Sequence, residues 1–222
     1  MVRIVSWNVN GLADKTKARQ VLRRLHSLKA DVIILQEIYK NTSKLTSSQV
    51  EQKVEEIANL AQYFWKTDMH FGKSGKLAIL SHYHHSLKII DTFSNGRIMD
   101  FEFSHIAKGD RKIKINYFTM KLRAVYAPAV SGTSKSQFWT KFPPLPPFTW
   151  VVGDFNLALN IKDRSARTSS DNPKMVNDIL EHHLDTQYLL QNRRPKPTYH
   201  QPSTVTQKFS CIDYIFAPDS QL

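Results

Sequence analysis

The sequence predicts an α/β protein with two sheets packed face to face and helices on the outside. Three observations predict it. Val2–Trp7 and Asp31–Leu35 are short β-branched runs, and between them Val21, Leu22, Leu25 and Leu28 recur at helical spacing within Lys17–Leu28. From Gly75 to Tyr126 strand-like segments follow one another without a helical period, as an antiparallel meander would. From Thr149 to Ala217 strand and helix patterns mix again.

In chain order, strand, helix and strand open the sequence as a βαβ-like unit, and Asn8–Asp14 is a turn-rich loop within it. Ser48 and Glu51 have the spacing of a capping box, which starts a helix running to about Gln62 with Val50, Val54, Ile57 and Leu60 or Ala61 inward. Strands are predicted at Gly75–Ser81, Leu87–Phe93, Ile98–Phe103, Lys112–Phe118 and Lys121–Tyr126. Pro143, Pro144, Pro146 and Pro147 mark a connector, because proline lacks the N–H that a helix or central strand requires. A strand at Trp150–Val152 leads into Gly153. A helix is predicted at Asn172–Leu184, and strands at Thr198–His200 and Cys211–Ala217.

The chain has 222 residues, 41% of them hydrophobic and 23% charged, enough for a sizeable core in one domain, or at most two small ones. It carries 31 Lys+Arg against 19 Asp+Glu, a net charge of +12, which favours a polyanionic partner. Cys211 is the only cysteine, so an intramolecular disulfide and a cysteine zinc site are both excluded. The first ten residues lack the apolar core of a signal peptide, and no apolar run approaches the roughly 20 residues of a membrane span. A nuclear or cytoplasmic protein, not a secreted one, is expected. There is no P-loop and no GxGxxG pattern.

Polar residues recur where predicted strands end. SWNVNGL places Asn8 and Asn10 two apart, VIILQE delivers Glu37, LRAVYAP delivers Tyr126, GDFN delivers Asp154 and Asn156, and SCIDYIF holds Asp213 in an aromatic run. Open α/β sheets tend to hold their chemistry at strand ends. Each residue also has an ordinary reading. The two Asn-containing motifs could be Asx turns, Glu37 a solvated loop acid and Tyr126 a core tyrosine. Asp213 is the hardest to dismiss, because an inward-facing acid must be paired or functional.

The ordered set SWNVNGL, LQE, VYAP, GDFN and IDY, spanning Arg3 to about Phe216, resembles the endonuclease/exonuclease/phosphatase superfamily. Deoxyribonuclease I and the apurinic/apyrimidinic endonucleases belong to it. The resemblance implies a four-layer α/β sandwich over residues 1–222, a single domain. Within the superfamily the chain is most similar to the endonuclease domain of LINE-type non-LTR retrotransposons, through VYAP, GDFN followed by Asp163-Arg164, and Ser210-x-Ile212-Asp213-Tyr214. That branch implies nicking of DNA, a reverse transcriptase fused in the full-length protein, and a monomeric domain. The resemblance further implies that Glu37 is the principal ligand of a magnesium ion, with manganese as a substitute and Asn8 assisting. Asn10 would help arrange the metal, Asp154 would orient or deprotonate the attacking water, and Asn156 and Tyr126 would hold the phosphate. Arg164 and Thr198 would contact DNA. Arg97, Arg111, Arg123, Arg167, Arg193 and Arg194 are further candidates for phosphate contacts.

The sequence departs from the family at two places. Relatives often carry asparagine where Ala129 stands after VYAP. In the family Asp213 pairs with a histidine on a final strand, but here YIFAPDSQL follows without one. The expectation is a C-terminally incomplete domain whose closing strand is missing, through truncation or decay, with little or no nicking by residues 1–222 as they stand. Three other functions share the motif set: abasic-site repair, a phosphoinositide or sphingomyelin phosphodiesterase, and a non-catalytic nucleic-acid-binding relic.

Overall fold

A computed structural model describes residues 2–39, 46–82, 84–106, 117–129, 133–159, 176, 179–181, 183–185, 199–201, 208–210 and 212–218. The chain divides into two compact units, Met1–Ala124 and Val125–Leu222.

The first unit opens with β1 (Ile4–Asn8), α1 (Lys15–Ser27) and β2 (Val32–Gln36). β1 and β2 pair in parallel, with Asn8 opposite Gln36, as the βαβ reading predicts. Asp14 starts α1 by accepting the Lys17 N–H at 2.6 Å. Val21, Leu22 and Leu25 are buried as predicted, whereas Leu28 caps the helix and is exposed. α2 (Ser47–Trp65) is longer than predicted and starts earlier. Its capping box is Thr46 with Gln49, not Ser48 with Glu51.

A short β3 (Met69–Phe71), which the sequence reading missed, and β4 (Leu77–Ser81) complete a four-stranded sheet in the order β1-β2-β4-β3. Ile33, Leu35, Ala78 and Leu80 on one face join Leu22, Leu25, Ile57, Ala61 and Trp65 of the helices in one apolar cluster. Each large side chain fully buried there stabilises by about 1.5–3 kcal/mol. Val32, Ile34, Leu77 and Ile79 point the other way and are equally buried, so the two central strands are covered on both faces.

The unit continues with β5 (Ser86–Phe93) and β6 (Ile98–Ile106), an antiparallel pair with a bulge between Ile89 and Asp91. β7 (Tyr117–Tyr126), which belongs to this unit as far as Ala124, lies beside β6. It is one strand where two were predicted, and residues 112–116 of the earlier predicted strand lie outside the described residues.

The second unit contains α3 (Thr133–Thr140), which the sequence reading missed, then β8 (Thr149–Asp154), β9 (His183–Asp185), β10 (Tyr199–Gln201), β11 (Lys208–Ser210) and β12 (Asp213–Pro218). β12 lies between β8 and β9 and runs antiparallel to both. β10 and β11 form an antiparallel pair. The proline segment is a connector, as predicted. The end of the predicted Asn172–Leu184 helix is corrected: His183 and Leu184 are in β9, where pairing with Pro218 and Ala217 outweighs local helical spacing. Most of the rest of that helix lies outside the described residues. Among the described residues no helix is long and apolar enough to cross a membrane.

Candidate active site

In the first unit the parallel pairing of β1 with β2 brings Asn8, Asn10 and Glu37 together. Beyond the strands the two segments stay zipped by backbone bonds. The N–H groups of Val9, Gly11 and Leu12 donate to the carbonyls of Gln36, Glu37 and Ile38 at 3.0, 2.7 and 2.7 Å. The Asn8 side-chain oxygen accepts the Asn10 N–H at 3.0 Å, so the Asx turn open to the sequence is present. Asn10 also offers its carbonyl to the Lys17 ammonium at 2.9 Å.

Lys76 is a neighbour that sequence reasoning missed. Burial pushes its pKa below the ordinary lysine value, the Arg97 guanidinium pushes in the same direction, and Glu37 opposes them. Glu37 therefore shares its surroundings with two cations, a setting suited to an anionic substrate.

The second unit brings Tyr126, Asp154, Asn156 and Asp213 together. Asp154 ends β8 and Asp213 begins β12, and the register places them opposite each other. Asp154 is buried, and its Oδ1 accepts the Asn156 N–H at 2.8 Å. This repeats the Asn8–Asn10 turn. Asn156 donates from Nδ2 to the Ala127 carbonyl at 2.8 Å, and Ala127, next to Tyr126, donates its N–H to the Asp154 carbonyl at 2.9 Å. The loop is held from further sides as well: Phe155 N–H donates to the Ile212 carbonyl at 2.8 Å, and Leu159 N–H to the Tyr214 hydroxyl at 3.0 Å. Phe155 stacks on Trp139 of α3 and meets Tyr214 and Phe216 edge-on. A site whose supporting bonds are satisfied in this way holds its geometry before substrate arrives.

α3 contributes Lys135, a buried lysine that no sequence signal pointed to. Its Nζ donates to the Asn156 carbonyl at 2.7 Å. A lysine is rarely buried without such a partner.

Asn10, Glu37 and Asn156 share a backbone feature. Their φ angles are 52°, 56° and 49°, in the left-handed region. Asparagine tolerates that region better than glutamate does, because the left-handed conformation brings a Cβ close to the following carbonyl. Non-glycine residues held there cluster at functional sites. Glu37→Gly is therefore expected to raise stability by about 1 kcal/mol in urea denaturation. A clear loss instead would show that the Glu37 side chain holds the turn.

One expectation is corrected. Arg123 is buried in an ion pair with Asp100, so it is not a contact for DNA phosphates. Arg164 and Thr198 lie outside the described residues, as do Arg111, Arg167, Arg193 and Arg194.

Comparison with solved structures shows the fold class first. The chain is similar to an AP endonuclease from Archaeoglobus fulgidus at 16% identity, with a TM-score of 0.62 over 99% of this chain and 88% of that one. It is similar to truncated Caenorhabditis elegans TDP2 at 14% identity, with a TM-score of 0.56 over 98% of this chain and 84% of that one. The fold is an α/β sandwich of two mixed sheets with helices, as the sequence predicts. The chain belongs to the Endonuclease/Exonuclease/phosphatase family, which it matches over residues 5–222. No curated protein matches it.

Proposed function

We propose that this chain is a metal-dependent phosphodiesterase acting on DNA, the nicking endonuclease domain of a LINE-type retrotransposon. The observation that carries the reading is the pairing of Asp154 with Asp213 across β8 and β12, with Asn156 locked beside them. Two acids and an amide at adjoining strand ends suit water activation and phosphate binding. Glu37 and Asn8 would hold magnesium or manganese. Their donors are hard oxygens, the kind that these ions take. The ion, when bound, neutralises charge on the phosphate.

The remaining roles belong to the other residues of the set. Asp154 orients the attacking water and takes its proton. Asn156 donates its second amide N–H to the phosphate, and Tyr126 donates its hydroxyl to a phosphate oxygen or the leaving oxygen. Asn10 keeps Asn8 in place through its N–H. Asp213 positions the groups that face Asp154. Arg164 and Thr198 contact DNA outside the described residues. In a LINE-type protein the domain is carried with a reverse transcriptase and works on nuclear DNA.

The likeness to an AP endonuclease favours abasic-site repair as a second reading. The test places protein in excess over supercoiled plasmid, with magnesium or with EDTA. Slow, magnesium-dependent nicking that Asp154→Ala and Glu37→Gln each reduce by at least about 100-fold is expected. An intact A/T-rich duplex should be cut in preference to an abasic oligonucleotide, and the opposite preference would establish the repair reading. Nicking that survives Asp154→Ala would overturn the site assignment. DNA binding without any metal-dependent cutting would leave a binding domain of this fold.

A further inference from the structure

A second cluster of ligating side chains lies in the first unit, away from the residues assigned above. Asp31 immediately precedes β2, His85 immediately precedes β5, and His105 lies near the end of β6. One ligand atom from each falls within 4.8 Å of the others. His85 Nε2 stands 3.1 Å from Asp31 Oδ1. The other Asp31 oxygen accepts the Arg3 N–H at 2.7 Å, which fixes the carboxylate. The His85 and His105 rings lie 4.5 Å apart between centroids, tilted by 33°. His105 Nδ1 is buried and has no hydrogen-bond partner among the described residues. The side chains of His85 and Asp31 are 6% and 19% exposed, so the cluster is shielded from bulk water.

We propose that Asp31, His85 and His105 form a site for a borderline divalent transition metal, zinc above all, distinct from the oxygen-lined magnesium site at Glu37. Two imidazoles and a carboxylate match the donors zinc takes, whereas magnesium prefers oxygen alone. Tetrahedral zinc, with ligands at about 2.0–2.1 Å, sets its donors about 3.3 Å apart. The Asp31–His85 separation of 3.1 Å is already close to that, and the His105 ligand atom lies within 4.8 Å of both. The Arg3 bond on the second carboxylate oxygen is the kind of outer contact that orients a metal ligand.

The site's place in the fold defines its role. Asp31 and Glu37 flank the two ends of β2, whose five residues span roughly 17 Å. The metal would tie the start of β2 to β5 and β6, and so hold strands from both sheets of the unit together. It is a structural clamp, separate from the proposed phosphodiester chemistry, and it stands whether or not that reading does.

The test uses the full chain, free of any histidine tag and stripped with a chelator. Zinc is titrated in competition with a chromogenic chelator, and cobalt is added as a spectroscopic substitute. One equivalent of zinc is expected to bind at least about 100-fold more tightly to the wild type than to His85→Ala or His105→Ala. Glu37→Gln should bind it unchanged. Zinc should raise the melting temperature of the wild type and leave both histidine variants where they are. If a variant does not fold, the wild type decides alone: cobalt bound by two imidazoles and a carboxylate gives an intense visible band that zinc abolishes. A wild type with no such band, or one whose zinc is lost with Glu37→Gln, would overturn the proposal.

Discussion

Arg123→Met is expected to destabilise the protein by about 3–5 kcal/mol, because it leaves a buried carboxylate without its cation. Arg123 is 1% exposed in β7, and it grips Asp100 of β6 with both arms of its guanidinium. Nε donates to Oδ1 at 2.6 Å and Nη2 donates to Oδ2 at 2.7 Å. The same guanidinium sits 5.6 Å from the centroid of the Phe93 ring, which adds an attraction to its π face. Taking two charges out of water is costly, and this fork returns that cost only while both partners are present. Asp100→Leu should therefore do about the same damage. The double variant should recover most of the loss, since an apolar pair of similar volume needs no desolvation. Urea denaturation of the four proteins of this cycle measures the coupling. A single variant that costs under about 1 kcal/mol, the range of an exposed pair, would show that the bridge is open to water.

That pair also marks what the sequence could not disclose. Arg123 lies in LRAVYAP, where a basic residue on a basic protein reads as a phosphate contact. Its partner stands 23 residues away on another strand, and only strand pairing reveals the match. α3 was invisible for a related reason. In TSKSQFWT the only apolar side chains, Phe138 and Trp139, are adjacent, so no stripe at helical spacing forms. The start of α2 was misplaced because Thr46–Gln49 and Ser48–Glu51 satisfy the same local pattern, and the sequence alone does not choose between them.

The strand-end motifs were legible because each is local. A β-branched run followed by polar residues needs no distant partner to be recognised, and β1, β2 and β8 fall there, whereas Asp213 opens β12 instead of ending it. The ordinary reading of these motifs does not exclude the proposed one. Asn8 and Asp154 both make the turn bond to the residue two positions on, and that bond sets the backbone that carries the proposed site residues. By contrast, Asp31, His85 and His105 have no motif spacing, with 54 residues between the first two, and only the fold gathers them.

Gly153→Ala is expected to prevent the second unit from forming its β8–β12 pair, a loss beyond about 4 kcal/mol. Gly153 has φ of 149°, a region that side chains with a Cβ rarely adopt. A Cβ placed there would lie 1.9 Å from the Val125 carbonyl oxygen and 2.8 Å from its carbon. Those are backbone atoms of a buried residue, so no rotamer change relieves the overlap. Movement would have to come from β8 itself, which carries Val151, Val152 and Asp154 against β12 in fixed register. The glycine of GDFN thus shapes the proposed site as much as the acid beside it, because its missing side chain lets β8 approach Val125 and deliver Asp154 next to Asp213. The contrast with Asp154→Asn separates the two roles. Asp154→Asn keeps the Asn156 turn bond through its amide oxygen and should fold, losing chemistry alone. Gly153→Ala should lose soluble yield and protease resistance before any assay is run. A Gly153→Ala protein that melts with the wild type would show that β8 can retreat from Val125 without cost, and would remove the argument that this close approach positions the acid pair.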